Sequence, residues 1–74
     1  MSVRVILYSI LRPGRFTEAD VDVSEGAAVS DVLAPIELPL VDVAIVMVNA
    51  RSGRFQQKLK SGDRLTLLPH LGGG

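Results

Sequence analysis

The sequence predicts an α+β roll: a mixed sheet of four to five strands with one short helix packed on one face. Three observations carry this reading. A hairpin pattern opens the chain, a short apolar stripe with helical spacing follows it, and three more strand patterns close it, the middle one brief. A hairpin crossed by one helix and continued by strands forms two layers, with the helix on one side of the sheet. The right-handed crossover rule places the last long strand beside the first, in the middle of the sheet.

Residues 3–10, Val-Arg-Val-Ile-Leu-Tyr-Ser-Ile, are rich in branched and aromatic side chains and suit a strand. Apolar groups fall on both faces, so this strand is expected inside the sheet. Arg12-Pro13-Gly14-Arg15 is a turn, with proline presetting one dihedral and glycine admitting a positive φ. Residues 16–23 alternate, with Phe16, Glu18, Asp20 and Asp22 on one side and Thr17, Ala19, Val21 and Val23 on the other. That pattern reads as an edge strand guarded by charge. Tyr8 and Phe16 are expected in the core or the sheet.

After a loop at Ser24-Glu25-Gly26-Ala27, Val29, Val32, Leu33 and Ile36 follow the i, i+3, i+4, i+7 spacing of a helix. Asp31 falls in its first turn, where the helix dipole favours negative charge. Pro35 ends it early. Residues 36–42, with Pro39, read as an irregular connection. Residues 43–48 are six apolar residues in a row, expected to be the most buried strand. Asn49 to Arg54 is a turn, residues 55–59 are expected to form the short strand, and Lys60-Ser61-Gly62-Asp63 is a tight turn. Residues 64–68 alternate again, with Leu65 and Leu67 inward and Thr66 and Leu68 outward. The order of elements fits the β-grasp arrangement, with a domain over residues 1–69 and a flexible glycine-rich tail over 70–74.

Seventy-four residues make one small domain. Such a chain buries roughly 60% of its unfolded surface, so its core is thin. There is no cysteine and a single histidine, His70, which leaves no disulfide, no thiolate metal site and none of the common multi-histidine metal arrangements. No metal and no bound cofactor are expected. No apolar run approaches the roughly 18 residues of a membrane span, and Met1 leads straight into a strand pattern containing Arg4. A cytoplasmic address is therefore expected. The net charge is zero, which argues against nucleic acid, whose binders carry a basic stripe. Acidic residues dominate up to Glu37, whereas Arg51, Arg54, Lys58, Lys60 and Arg64 make the later half basic. That asymmetry can steer the chain toward an acidic partner; it is equally the pattern of ordinary solvated charge.

The chemistry is expected at the end of the sequence, Leu67-Leu68-Pro69-His70-Leu71-Gly72-Gly73-Gly74. Pro69 has no N–H to give and blocks further pairing on that side. Three glycines at an end make poor structure, but they suit a slender tail that presents an unhindered carboxylate. From His70 to Gly74 such a tail spans roughly 15–18 Å when extended. A frayed end or a cloning scar has the same composition.

Four stretches resemble the bacterial ubiquitin-like sulfur carriers, which include the small subunit of molybdopterin synthase and the thiamine-pathway sulfur carrier. Glu25 to Leu33 is similar to their loop and helix start, Val46-Met47-Val48-Asn49 to their central strand and turn, and Leu59 to Leu65 to their last turn and strand entry. Leu67 to Gly74 is similar to their Gly-Gly terminus. The resemblance implies a carrier and co-substrate rather than an enzyme. An α-carboxylate, with a reference pKa of about 3.3–3.7, is ionised at neutral pH and is a poor electrophile. In the family an ATP-dependent adenylating enzyme converts it to an acyl-adenylate, and a persulfide-bearing donor protein supplies sulfur. An acceptor synthase, like the large subunit of molybdopterin synthase or thiazole synthase, takes the sulfur from the resulting thiocarboxylate. On this resemblance Gly74 is the reacting residue. Gly73, Gly72, Leu71 and His70 line the partner's channel, and Leu68 with Thr66 forms a docking surface.

The sequence departs from the family at three places. Ala28 stands where a threonine or serine caps the helix, a loss of about 1 kcal/mol. Ala50 stands where glycine usually follows Asn49, and Ser52-Gly53 offers to move that turn two residues along. Pro35 shortens the helix. Two other functions fit the same fold: a protein modifier joined to lysines through its Gly-Gly end, and an interaction domain with an inert tail. The Leu67-Leu68-Pro69 run leans toward the pterin-cofactor branch over thiamine.

Overall fold

The computed structural model describes residues 1–11 and 14–70. Its strands are β1 (Ser2–Leu7), β2 (Glu18–Asp22), β3 (Val43–Val48), β4 (Arg51–Ser52) and β5 (Arg64–Pro69), with one helix, α1 (Val29–Leu33). They form a single sheet in the order β2-β1-β5-β3-β4. β1 pairs antiparallel with β2 and parallel with β5, and β3 pairs antiparallel with β5 and β4. The last long strand thus lies beside the first, and the acidic strand β2 lies at an edge, both as the sequence predicts.

One face of the sheet carries the core. Val3, Val5 and Leu7 of β1, Leu65 and Leu67 of β5, and Val46 and Val48 of β3 are buried together with Val29, Val32 and Leu33 of α1. Alternation on β1 runs out at Ser9, a polar residue where the next core position would fall. There the chain leaves the sheet, with Ser9 at φ 53°, and a 3-10 turn over Ser9–Leu11 brings Leu11 into the core instead. The strand expected over residues 3–10 therefore ends at Leu7. Tyr8, expected in the core or the sheet, lies beyond that end and is 44% exposed; Phe16 does pack against the core.

α1 is as short as Pro35 requires. Ala28 occupies the N-cap and offers no side-chain bond, and Asp31 Oδ2 accepts the Ala28 N–H at 2.8 Å. The first helical donors find other partners: Val29 N–H donates to the Gln57 carbonyl at 3.0 Å and Ser30 N–H to the Phe55 carbonyl at 2.9 Å. Those bonds satisfy groups that a helix start otherwise leaves open. They also explain a correction. The segment expected as a strand over residues 55–59 makes its backbone bonds with the helix entry, where Leu59 N–H also reaches the Ala27 carbonyl at 2.8 Å. The short strand is instead β4, over Arg51–Ser52. The turn has not moved to Ser52-Gly53: it stays at Asn49-Ala50, with φ of 53° and 67°.

β3 is not the most buried strand. Val43, Val46 and Val48 are buried, but Ala44 and Ile45 are exposed and Met47 is half-buried. A single short helix covers only one face of the sheet, so an unbroken apolar run must present about half of its residues to the other.

Candidate functional site

β5 is the pedestal of the tail. It lies between β1 and β3, so hydrogen bonds hold it on both sides, and Leu65 and Leu67 are fully buried. Its last residue, Pro69, is buried and pairs with Val43. His70 follows, with ring Nε2 3.1 Å from the Val41 carbonyl oxygen. A carbonyl only accepts, so Nε2 carries the proton in this contact. Where the proline ends the ladder, a side-chain bond continues the attachment for one residue. Leu71, Gly72, Gly73 and Gly74, four of the five expected tail residues, lie outside the described residues.

At the base of β5, a polar clamp fixes the strand entry. Asn49 Nδ2 donates to Asp63 Oδ1 at 2.9 Å, and Asn49 Oδ1 accepts the Arg64 N–H at 2.9 Å. Asp63 Oδ2 accepts the Lys60 N–H at 2.7 Å. The Asn49 amide first, then the Lys60 N–H and the nearby Lys60 charge, hold the Asp63 carboxyl below its ordinary value. Another anchor joins the hairpin loop to the helix exit: the Arg15 guanidinium donates to the carbonyls of Leu11 and Ile36 at 3.2 Å and of Glu37 at 2.7 Å.

The face of the sheet opposite the helix carries no covering layer among the described residues. Thr66 and Leu68 of β5 do point to this face and are half-buried, as the alternation predicts. Register sets Ile6 and Met47 on either side of Thr66, and Ile45 beside Leu68. The large exposed apolar residues among those described are Tyr8 at 44%, Ile45 at 45%, Leu40 at 49% and Val41 at 75%. All four lie at the end of the sheet from which the tail leaves. Tyr8 N–H meets the Leu67 carbonyl at 3.3 Å, Ile45 pairs with Leu68, and Leu40 and Val41 belong to the 3-10 turn that His70 touches. Sequence reading placed Thr66 and Leu68 on this face and missed six apolar residues: Ile6, Ile45 and Met47 beside them, and Tyr8, Leu40 and Val41 near the tail root. The signal available was the single helix, which leaves one sheet face bare.

Charge frames this face. On the β2 edge Arg4 bridges Glu18 at 3.1 Å and Asp20 at 3.0 Å, and on the far side Arg51, Arg54 and Lys58 are exposed. A broad concavity lined by Asp22, Glu25, Gly26, Asp31 and Pro35 lies at the opposite end from the tail. Among the described residues no group of three or more His, Cys, Asp or Glu side chains is placed to hold a metal, and no helix is long and apolar enough to cross a membrane.

A family profile for the ThiS family matches residues 5–74. The chain belongs to the ThiS family. Solved structures agree on its fold. SAMP1 from Haloferax volcanii superposes with a TM-score of 0.79 at 24% identity, covering 100% of both chains. A Pyrococcus furiosus protein assigned as subunit 1 of molybdopterin converting factor gives 0.75 at 23% identity, over 96% of this chain and 99% of that one. The complex of subunits 1 and 2 of molybdopterin-converting factor from Helicobacter pylori contains a chain matching at 0.68 and 19% identity, with 100% of both covered. A comparison with curated proteins yields no match. This ThiS-family chain therefore has the ubiquitin-like β-grasp fold of the small sulfur carriers.

Proposed function

We propose that the chain is a cytoplasmic sulfur carrier that bears sulfur on the carboxyl group of Gly74. The observation that carries this reading is the gathering of exposed apolar side chains around the root of the tail, in a chain of the ThiS family. A partner can dock there and receive the tail in one approach.

The carboxylate oxygen of Gly74 attacks the α-phosphorus of ATP on an adenylating enzyme, and pyrophosphate leaves. A persulfide sulfur of a donor protein then attacks the activated carbonyl and AMP departs, leaving an acyl disulfide. A thiol attacks the donor's sulfur, which becomes part of a disulfide, and the thiocarboxylate is freed. The chain has no cysteine, so both the sulfur and the thiol come from outside it. Catalysis rests with the partners. This chain contributes a rigid pedestal, a docking face that includes Leu68 and Thr66, and a tail in which Gly72 and Gly73 add no side-chain bulk beside the reacting carbonyl. His70 and Leu71 line the entrance of the partner's channel.

The acceptor we propose is a pterin-cofactor synthase. The Leu67-Leu68-Pro69 run and the two neighbours described as molybdopterin-converting factor subunits support that choice. A second reading, conjugation to lysines of other proteins, is favoured by the likeness to small archaeal modifier protein 1 of H. volcanii.

C-terminal-fragment mass spectrometry of the chain purified from its own cells separates the readings. Exchange of one oxygen for sulfur at Gly74, localised by thiol-directed alkylation, supports the carrier. Met1 and Met47 gain oxygen of the same nominal mass, so the localisation is required. Gly-Gly remnants on lysines of other proteins support the modifier. A free carboxylate that persists with ATP, the adenylating enzyme and a sulfur donor overturns the carrier reading.

A further inference from the structure

We infer that residues 54–59 form a strap, hinged at Gly53, that opens and closes over one end of the core as a unit while α1 and the sheet stay in place. Its opening stands or falls separately from the carrier reading.

The strap has no place in the sheet. Gly53 N–H donates to the Val46 carbonyl at 2.8 Å, and there the chain leaves β3. At the other end Lys60 N–H is fixed by Asp63 Oδ2 at 2.7 Å. Between these points, among the described residues, three backbone bonds join the strap to the rest of the chain, all of them at the helix entry. Val29 and Ser30 donate to the carbonyls of Gln57 and Phe55, and Leu59 donates to that of Ala27. Arg54, Gln56, Gln57 and Lys58 are exposed, Phe55 is half-buried and Leu59 is buried.

Little holds the strap compared with what holds its neighbours. Opening uncovers one buried leucine and a half-buried phenylalanine. The freed N–H and C=O groups meet water, so no buried polar group is stranded. Opening α1 instead would uncover Val29 and Val32, which are fully buried, and Leu33. α1 also keeps a cap without the strap, because Ala28 N–H donates to Asp31 Oδ2 and Asp31 N–H donates to the Ala28 carbonyl. Segments with few buried contacts and exposed backbone bonds open locally, well below the cost of global unfolding.

Gly53 sets how closely the strap can shut. A Cβ there would lie 3.0 Å from a methyl of Val48, 3.3 Å from a methyl of Val46 and 2.9 Å from Gln57 Oε1. The Gln57 amide can swing aside, but the two valines are buried and stiff at χ1. The closed strap therefore needs glycine at 53 for its approach to β3. The Gln57 side chain completes the closure, its Oε1 accepting the Arg54 N–H at 3.3 Å. All of this lies at the Val48 end of β3, whereas Pro69 pairs with Val43 at the other end, so the opening leaves the end of β5 in place.

The test is amide hydrogen exchange of the full-length chain, followed by NMR in water and in urea below the unfolding transition. Val29, Ser30 and Leu59 are expected to share one opening, with protection factors within about threefold of each other and at least about tenfold below the best-protected amides of β1 and β5. Their protection is expected to be nearly independent of urea, while that of β1 and β5 falls steeply. Gly53→Ala is expected to lower protection of the three amides roughly fivefold, the scale of one overpacked methyl offset by a stiffer open chain. Gln57→Ala, which removes the acceptor of the Arg54 N–H, is expected to lower it about threefold, and it keeps the test standing if Gly53→Ala does not fold. Three amides that track β1 and β5 at every urea concentration overturn the strap, since they then open only with the whole chain. Protection factors of the three that differ by more than about tenfold overturn it as well. So does a Gly53→Ala chain in which β1 and β5 lose protection and the three amides do not.

Discussion

Replacing Ala50 with glycine is expected to stabilise the protein. Asn49 and Ala50 have φ values of 53° and 67°, and together they join β3 to β4. An L-residue with a Cβ in the left-handed region carries a penalty of about 1–2 kcal/mol. Glycine removes that penalty but adds conformational entropy to the unfolded chain, which costs about 0.4–1 kcal/mol. The difference favours Ala50→Gly by about 0.5–1 kcal/mol. Asn49 is the better-suited member of the pair, because asparagine tolerates this region and its side chain is held by Asp63 and Arg64. For a domain of this size, that gain corresponds to a rise in melting temperature of roughly 2–8 °C. Thermal unfolding followed by circular dichroism reads it directly. An unchanged or lowered melting temperature would refute the placement of Ala50 in the left-handed region. It would favour instead a turn displaced toward Ser52-Gly53, as the departure from the family pattern suggested.

Other outcomes follow from the same structure. Asp63→Ala removes the acceptor for Asn49 and Lys60 and should cost about 1–2 kcal/mol by urea unfolding at neutral pH, at the low end because the clamp meets solvent. The Asp63 carboxyl lies below its ordinary value of 3.8 when folded, so its contribution is whole above that pH and is lost as pH falls through the folded value. The gap between wild type and Asp63→Ala should therefore narrow below about pH 4, and a gap that widens there would contradict the clamp. Leu67→Ala, at a fully buried position on the central strand, should cost about 2–5 kcal/mol in the same unfolding assay. Ile45→Ser, at an exposed position beside Leu68, should leave the melting temperature within a few degrees of wild type while raising KM in ATP–pyrophosphate exchange. Deleting Gly73 and Gly74 should abolish exchange and leave thermal unfolding unchanged.

The sequence by itself determined the class of fold, because periodicity reports which residues need burial. The 3.6-residue spacing of Val29, Val32 and Leu33 marked α1, and the period-two spacing of Leu65 and Leu67 marked β5 and its inner face. Proline and glycine punctuated the rest. The glycine-rich end was equally legible, as a run of small side chains. Local pattern could not tell which apolar residues stay in water. Val43 to Val48 looked buried throughout, yet Ile45 is exposed because no layer covers that face. Nor could it show where the backbone bonds of residues 55–59 go, because their partners at Ala27, Val29 and Ser30 lie about 30 positions away in sequence. The tie from His70 to Val41 spans 29 positions and depends on β5 running antiparallel to β3, which brings the end of one strand to the beginning of the other. Burial demand is written along the chain, residue by residue; what covers a face, and what meets the root of the tail, is decided only when distant segments share one sheet.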